Sequence, residues 1–308
     1  MTSLQRATEV LRAACGPRLR SGVSIAPLTT FRLGGPAALY LEPEGPDDLA
    51  AVASALGGSE VPVLVLGKGS NVLISDAGFP GLVLRLGRGF RWAARDGAHL
   101  SAGGAMPLPA LAGVAFSHGL AGLEFAIAIP ATVGGAVRMN AGAHGRSIAD
   151  VLETADLVDL RSGDRRTVAA ADMGLRYRRS ELGADAIVIG ARFLLQPGEP
   201  DAIRARMDEA RAWRRETQPV AEPNCGSVFK NPEGDHAARL VEAAGCKGWT
   251  EGGAAVSPKH ANFIVAGKGS TSADVARLIE RVRAAVERTA GVALEPEVKF
   301  VGEFPSAR

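Results

Sequence analysis

The chain has 308 residues, 46% hydrophobic and 22% charged, enough to bury the core of one large domain or two ordinary ones, which excludes a disordered chain. Thirty-five basic and 33 acidic residues leave a formal charge of +2, so composition offers no case for nucleic acid. Glycine stands at 38 residues where an average share of about 7% would give roughly 22, an excess that needs a structural use.

A helix opens the chain and runs to about Cys15. VPVLVLG (61–67) is an apolar run ending in glycine, the form of a buried strand feeding a loop. GLVLRLG (81–87) and AHLSAGG (98–104) read as further strands. LPALAGVAFSHGL (108–120) reads as a helix with Leu108, Leu111, Val114 and Ala115 on one face. VLETADLVDL, RRTVAA and AIVIGARFLL form an antiparallel set around a turn at Arg161–Asp164. DAIRARMDEARAWRRE (201–216) is a charged amphipathic helix, followed by a loop at 219–226. HAARLVEAAG and TSADVARLIERVRAAVERTAG are two more helices. In the second, Val275, Leu278, Ile279, Val282 and Val286 make a packed stripe, Thr271 or Ser272 can cap the start, and Gly291 can end it. GGAAVSP and HANFIVA between them are strand-like. The expected division is an α+β region over 1–200, in two parts of about 1–60 and 61–200, and a smaller α+β region over 201–308.

Cys15, Cys225 and Cys246 are odd in number and widely spaced, and no C-x-x-C or H-E-x-x-H occurs, which argues against a disulfide framework or a metal site. The first twenty residues carry charges throughout, unlike a signal peptide. The apolar stretch 120–137 contains Glu124, Pro130 and glycines, which rules out a spanning helix. The expectation is a cytoplasmic protein without a membrane or nucleic-acid partner.

Two glycine-rich segments account for part of the excess. LVLGKGSNVLISD (64–76) sets Gly67, Gly69, Ser70 and Asn71 directly after a strand. Such a loop can turn successive N–H groups inward around a phosphate, or simply make a tight turn. It fits neither the Walker loop nor the Rossmann fingerprint. GLEFAIAIPATVGGAVRMNAGAHG (122–145) carries Gly134, Gly135, Asn140 and Gly142 among small residues. It reads as a buried glycine-rich crossing or as a place where backbone approaches a ligand. Together the two segments favour a cofactor that carries an anion.

TTFRLGGPA (29–37), LGKGSNVLISD, the 122–145 segment, YRRSEL (177–182), GSVFKNP (226–232) and LEPEVKFVGEF (294–304) follow one another in this order. Together they resemble the UDP-N-acetylenolpyruvoylglucosamine reductase family over almost the whole chain, in its shorter form without the tyrosine-loop insertion. GSVFKNP combined with the 122–145 segment is the specific part. The resemblance implies an FAD-binding domain of the vanillyl-alcohol-oxidase-like (PCMH) type and a smaller α+β substrate-binding domain, whose last strand near 293–301 returns to the active site. It implies FAD, with NADPH as donor, and reduction of the enolpyruvyl group of a UDP-sugar without a metal; a monomer is expected. Gly67, Lys68, Gly69, Ser70, Asn71 and Val72, with Pro130, Ala131, Thr132, Gly134, Gly135, Asn140 and Gly142, would surround FAD, their backbone N–H groups answering its diphosphate.

Three residues match the family's catalytic positions. Ser227 would donate a proton, Arg178 would stabilise charge on the substrate carboxylate, and Glu297 would act as a hydrogen-bond donor or second acid. By charge alone Arg176 and Arg179 compete with Arg178, and Glu295 with Glu297. Tyr177, Arg214, Lys230, Asn231 and Lys247 would bind substrate. His260 reads better as a structural histidine and Cys225 as a small packing residue. Two departures from the family pattern stand out: Ala128 and Ala131 where glycines are usual, and Thr217 where some relatives carry lysine. An oxidase of the same flavin fold and a non-catalytic nucleotide-sugar-binding protein are the competing classes.

Overall fold

The computed structural model describes residues 1–304; the last four residues of the expected substrate domain lie outside the described residues. The chain forms two compact units, and neither is contiguous. Unit 1 comprises 1–21, 39–68 and 81–212, and unit 2 comprises 22–38, 69–80 and 213–308. The expected division at residue 200 therefore differs from the observed one, because 22–38 and 69–80 group with the C-terminal part. The limits of those two segments fall inside or beside strands such as Pro36–Leu41 and Phe79–Leu84. No change of composition marks them.

In unit 1, helix α1 (Ser3–Cys15) starts at a capping box in which the Thr2 hydroxyl accepts from the Gln5 N–H and the Gln5 side chain accepts from the Thr2 N–H. Helix α2 (Pro46–Leu56) was not evident from the sequence pattern. It begins with proline and two aspartates in its first turn and buries Leu49, Val52 and Leu56. Both helices join a core with Leu39, Leu82, Leu84, Val158 and Ile187. This core takes residues from both sides of position 60, so the expected subdomain limit there is not a limit of packing. Arg18 holds the buried Asp48 carboxylate, with Nη2 to Oδ1 at 2.7 Å. Hydrogen bonding to that guanidinium, against burial, keeps the carboxyl below its ordinary value.

The larger core of unit 1 lies on a five-stranded antiparallel sheet in the order Arg165–Ala169, Leu152–Asp159, Ala186–Leu194, His99–Gly103, Ala93–Asp96. The three strands expected after residue 150 form its first half. Helices α3 (Leu108–Ser117) and α4 (Val133–Met139) pack on this core through Leu108, Leu111, Val133, Ala136 and Val137. Helix α4 sits within the segment read as glycine-rich crossing or loop. Small residues let it lie close to the strands: a Cβ on Gly134 would meet the Val188 carbonyl oxygen at 2.9 Å. Helix α5 (Pro200–Thr217) buries Ile203, Met207 and Ala210 and leaves most of its charged side chains exposed, with Arg214 half-buried.

In unit 2, helix α6 (Ala237–Ala243) and helix α7 (Ser272–Ala290) pack on the antiparallel strands Thr250–Glu251, Ala254–Val256 and Ile264–Ala266. The predicted stripe of α7 is buried. Thr271 makes the cap, in a capping box with Asp274, and Gly291 ends the helix at φ 67°. The Asp76 carboxylate also accepts from Ser272 N and Ala273 N at 2.8 and 3.0 Å, a negative charge at the positive end of the helix. Strand Lys299–Val301 pairs in parallel with Val72–Ile74. It is much shorter than the strand expected near 293–301. Ahead of Val72–Ile74, Gly69 has φ 63° and lies close to the 28–29 backbone, where a Cβ would meet the Leu28 carbonyl oxygen at 2.4 Å.

Candidate active site

Unit 1 contains a cleft of about 340 Å³. Gly67, Lys68, Thr132, Gly134 and Gly135, all expected at the cofactor, line it. Arg85, Arg91 and Arg138 line it too, and none of these was singled out from sequence. They come from separate elements with no shared spacing, so only the excess of positive charge on one cleft reveals them.

The cleft is narrow at its glycines. A Cβ on Gly67 would meet Thr132 Oγ1 at 2.7 Å. Thr132 caps α4, its hydroxyl accepting from the Gly135 N–H at 3.3 Å. The Val133 and Gly134 N–H groups donate to the Met106 and Gly104 carbonyls at 2.9 Å, and Ala131 N donates to Ile129 O at 2.8 Å. These three amides are therefore already used within the chain. The cleft also carries positive charge from Lys68, Arg85, Arg91 and Arg138. Arg138 is held in place by its Nη1, which donates to the carbonyls of Gly183 at 2.9 Å and Ala186 at 3.2 Å. Burial pushes its guanidinium pKa down from the ordinary arginine value.

Glycines that give close approach, and four cations, fit an anionic dinucleotide such as FAD. Pro130, Ala131, Asn140 and Gly142 do not line this cleft. A second cleft in unit 1, about 570 Å³, is larger, but none of the predicted cofactor residues lines it. Its half-buried Glu124 is already bonded to Arg206 at 2.6 Å.

Asn140 lies outside the lining of the first cleft, at the end of α4. It is the left-handed C-cap of α4 at φ 41° and is 6% exposed. Its Nδ2 donates to the Arg176 carbonyl at 3.0 Å, and its Oδ1 accepts from the Ala149 N–H at 2.9 Å. Arg176 and Arg179 exchange backbone hydrogen bonds at 2.9 and 3.1 Å, which puts Tyr177 and Arg178 at the tip of a tight turn. Arg178 has φ 55°, and its guanidinium carbon lies 5.1 Å from the Tyr177 ring centre. Arg176 and Arg179 form ion pairs with Glu181 at 3.4 and 3.9 Å.

Unit 2 brings Ser227 and Glu297 onto one backbone frame. Ser227 is half-buried and follows Gly226, which has φ 79°. The next residue, Val228, accepts the Glu297 N–H at 2.7 Å, and Lys230 N donates to Glu295 O at 2.9 Å. Asn71 Nδ2 donates to the Glu297 carbonyl at 3.2 Å, while Lys299 N donates to Asn71 O at 3.0 Å. The GKGSN motif thus divides between two jobs. Gly67 and Lys68 line the cleft of unit 1, whereas Gly69, Asn71 and Val72 build the frame of unit 2.

Asn262, which the sequence reading did not single out, is 3% exposed and bonds both backbone groups of Phe229: Oδ1 accepts from Phe229 N at 2.9 Å and Nδ2 donates to Phe229 O at 2.8 Å. Burial, with the Glu297 charge added to it, pushes the Cys225 thiol pKa up, so the thiol stays protonated.

The predicted substrate residues are dispersed within unit 2, apart from Tyr177 in unit 1. Lys230 lies next to Ser227 in the frame, its Nζ 2.5 Å from Glu295 Oε1. Asn231 Oδ1 accepts from the Ala237 N–H at 3.0 Å, fixing the start of α6. Arg214 is half-buried, and that burial lowers its guanidinium pKa. Lys247 is exposed and pairs with Glu242 at 3.0 Å, which makes it a surface ion pair in this structure. No cluster of three or more potential metal-ligating His, Cys, Asp or Glu side chains occurs among the described residues, and none of their helices is long and apolar enough to cross a membrane.

Residues 37–169 match the family model described as "FAD binding domain", and 218–301 match "UDP-N-acetylenolpyruvoylglucosamine reductase, C-terminal domain". A UDP-N-acetylenolpyruvoylglucosamine reductase from Sphingopyxis alaskensis is 45% identical over 298 residues, 96% of this chain and 99% of that protein. The crystal structure of the reductase from Thermus caldophilus superposes with a TM-score of 0.81 at 34% identity, covering 92% of this chain and 100% of that one. A variant of berberine bridge enzyme matches 63% of the chain and 44% of its own length with a TM-score of 0.50 at 14% identity, a likeness of fold alone. With whole-length relatives at this level of identity, the chain belongs to the UDP-N-acetylenolpyruvoylglucosamine reductase family.

Proposed function

We propose that the chain reduces the enolpyruvyl double bond of UDP-N-acetylglucosamine-enolpyruvate to give UDP-N-acetylmuramate in peptidoglycan precursor synthesis, with NADPH as the source of reducing equivalents. Unit 1 is the FAD-binding part and unit 2 the substrate-binding part. The protein works as a cytoplasmic monomer on small-molecule substrates.

Lys68, Arg85, Arg91 and Arg138 would hold the FAD diphosphate by charge, with Gly67 and Gly134 leaving room for close approach. When bound, FAD supplies the two-electron carrier between the nicotinamide and the substrate double bond. The protein's own residues manage charge and protons. Arg178, at the tip of a turn held by Asn140, carries a guanidinium suited to the substrate carboxylate and to the charge that develops on it during reduction. Ser227 gives its hydroxyl proton to the enediolate-like carbon. A hydroxyl is a weak acid, and it serves here because that carbon is a much stronger base than an ordinary catalytic acceptor. Glu297 would act towards the same anionic group as a hydrogen-bond donor or second acid.

The observation that carries this reading is the hydrogen bond from Glu297 N to Val228 O at 2.7 Å. It ties the segment of the proposed second acid to the residue after the proposed proton donor. The test is Ser227→Ala. NADPH should still bleach the flavin at the unsubstituted rate while turnover of the enolpyruvyl substrate collapses. Undiminished product formation would remove Ser227 from the role.

A further inference from the structure

Asn262 supports a role that follows from where its bonds land. The proposed proton donor sits on a loop whose next two residues, Val228 and Phe229, are buried in the core of unit 2. Three hydrogen bonds reach these residues from Asn262. Its carbonyl oxygen accepts from Val228 N at 2.9 Å, its Oδ1 accepts from Phe229 N at 2.9 Å, and its Nδ2 donates to Phe229 O at 2.8 Å. The side chain thereby acts on Phe229 as the neighbouring strand of a ladder would, matching one donor and one acceptor at once.

The Val228 carbonyl completes the connection by accepting the Glu297 N–H. One peptide unit separates the Asn262-bonded Val228 N–H from Ser227, and the same Val228 residue carries Glu297. Asn262 is itself fixed. Its N–H donates to His260 Nδ1 at 3.2 Å, and Phe263 N donates to His260 O at 3.0 Å. The His260 ring packs edge-on to Phe263, with ring centres 4.6 Å apart. Burial lowers the His260 pKa and favours the neutral ring, whose Nδ1 can accept.

We propose that Asn262 is a positioning residue for proton transfer, its carboxamide setting the register in which Ser227 and Glu297 are presented together. The inference rests on the role proposed for Ser227. It adds that a carboxamide outside the reacting groups controls the substrate half of the reaction and leaves the NADPH half alone. A displacement of the order of an ångström at a reacting group can cost about 100-fold in rate.

The experiment uses the full-length enzyme loaded with FAD. Anaerobic reduction by NADPH and reoxidation by UDP-N-acetylglucosamine-enolpyruvate are followed separately for the unsubstituted enzyme, Asn262→Asp and Ser227→Ala. Asn262→Asp keeps the acceptor for Phe229 N but opposes a carboxylate to Phe229 O. Reduction should keep its rate, and reoxidation at neutral pH should fall about 100-fold. Burial raises the pKa of an introduced carboxyl, and its protonated form can donate to Phe229 O again, so reoxidation should recover as the pH is lowered. A residue that merely stabilised the fold would lower the yield of FAD-loaded enzyme and leave the reoxidation rate of the loaded enzyme alone. Unchanged reoxidation in Asn262→Asp, equal slowing of both halves, or slowing without recovery at low pH would each overturn the proposal. If Ser227→Ala reoxidises normally, the reading of Ser227 fails; if it collapses while Asn262→Asp does not, only the positioning role fails. Should Asn262→Asp not fold, amide exchange in the unsubstituted enzyme decides. The Val228 and Phe229 amides should be strongly protected, and exchange at the rate of an open loop would overturn the proposal.

Discussion

The two units organise their proposed functional residues by opposite means. In unit 1 the cleft works through side-chain charge and missing side chains: Lys68, Arg85, Arg91 and Arg138 supply cations, while Gly67 and Gly134 supply space. In unit 2 the site is a backbone construction, with Val228, Phe229, Lys230 and Glu297 held through main-chain bonds that Asn71 and Asn262 extend. A cationic cleft tolerates some displacement, since Coulomb attraction falls slowly with distance. Proton transfer does not, because it needs hydrogen-bond geometry at the reacting atom. The difference in construction matches the difference in what each unit is proposed to hold.

Substitutions can break this comparison at either end. The largest effect should come from Ser227→Ala, with the substrate half-reaction slowed about 10²–10⁴-fold, the usual worth of a positioned acid, at unchanged FAD content. Stopped-flow absorbance of the flavin reads both quantities; a loss of FAD along with rate would mean that the two units are not separable in function. Next is Arg91→Met in the unit 1 cleft, which removes one cation from the diphosphate's complement. FAD should bind about 10- to 100-fold more weakly, as expected for a charge-assisted hydrogen bond worth about 1.5–3 kcal/mol. Titration of the apoprotein with FAD, followed by quenching of flavin fluorescence, measures this. An unchanged affinity would show that the cations do not act on the cofactor.

Asn140→Ala sharpens the comparison, since it introduces into unit 1 the kind of damage to which unit 2 should be sensitive. It leaves the Arg176 carbonyl and Ala149 N–H without their partners, at a cost of about 1–3 kcal/mol, and loosens the turn that carries Arg178. Urea unfolding should show the lost stability, and steady-state rates should fall while FAD affinity holds.

The smallest effect is expected far from either site. Asp48 has its pKa lowered in the folded state by Arg18, so this pair adds stability above the unfolded carboxyl pKa of about 3.9 and loses it as pH falls through the folded value. Arg18→Ala should therefore lower stability slightly near pH 7, as expected for a solvent-exposed ion-pair partner. The difference from the unsubstituted protein should close on acidification below both pKa values. A constant difference across pH would assign the loss to packing of the arginine stem instead.

Elements governed by local rules were legible in the sequence. Apolar runs between glycines gave the strands at 63–65, 99–103, 152–159 and 186–194, and capping residues with a 3.6-residue stripe gave α7. Helix α4 escaped because Val133–Met139 has too few large side chains to show a stripe, although its small residues are what let it sit against the strands. HANFIVA read as one strand, yet only Ile264–Ala266 is extended as a strand, because the carboxamide of Asn262 takes over the pairing ahead of it. No spacing rule marks an asparagine whose partner lies 33 residues away. The family motifs located the Ser227 and Glu297 segments but could not say that Asn71 ties the second of them down. The arginines of the cleft were hidden for the same reason, since they meet only once the sheet has formed.

The parallel pairing of Lys299–Val301 with Val72–Ile74 also sets an order for biosynthesis. Asn71 and Glu297 are 226 residues apart, so the older strand waits roughly 10–45 s for its partner at about 5–20 residues per second of translation. Until then, the 22–38 and 69–80 segments of unit 2 have been made without the C-terminal residues that bury Phe31 and Leu73 in the finished core. The frame around Glu297 therefore closes only after Lys299–Val301 has been made, and a nascent chain stopped before Lys299 has no way to close it.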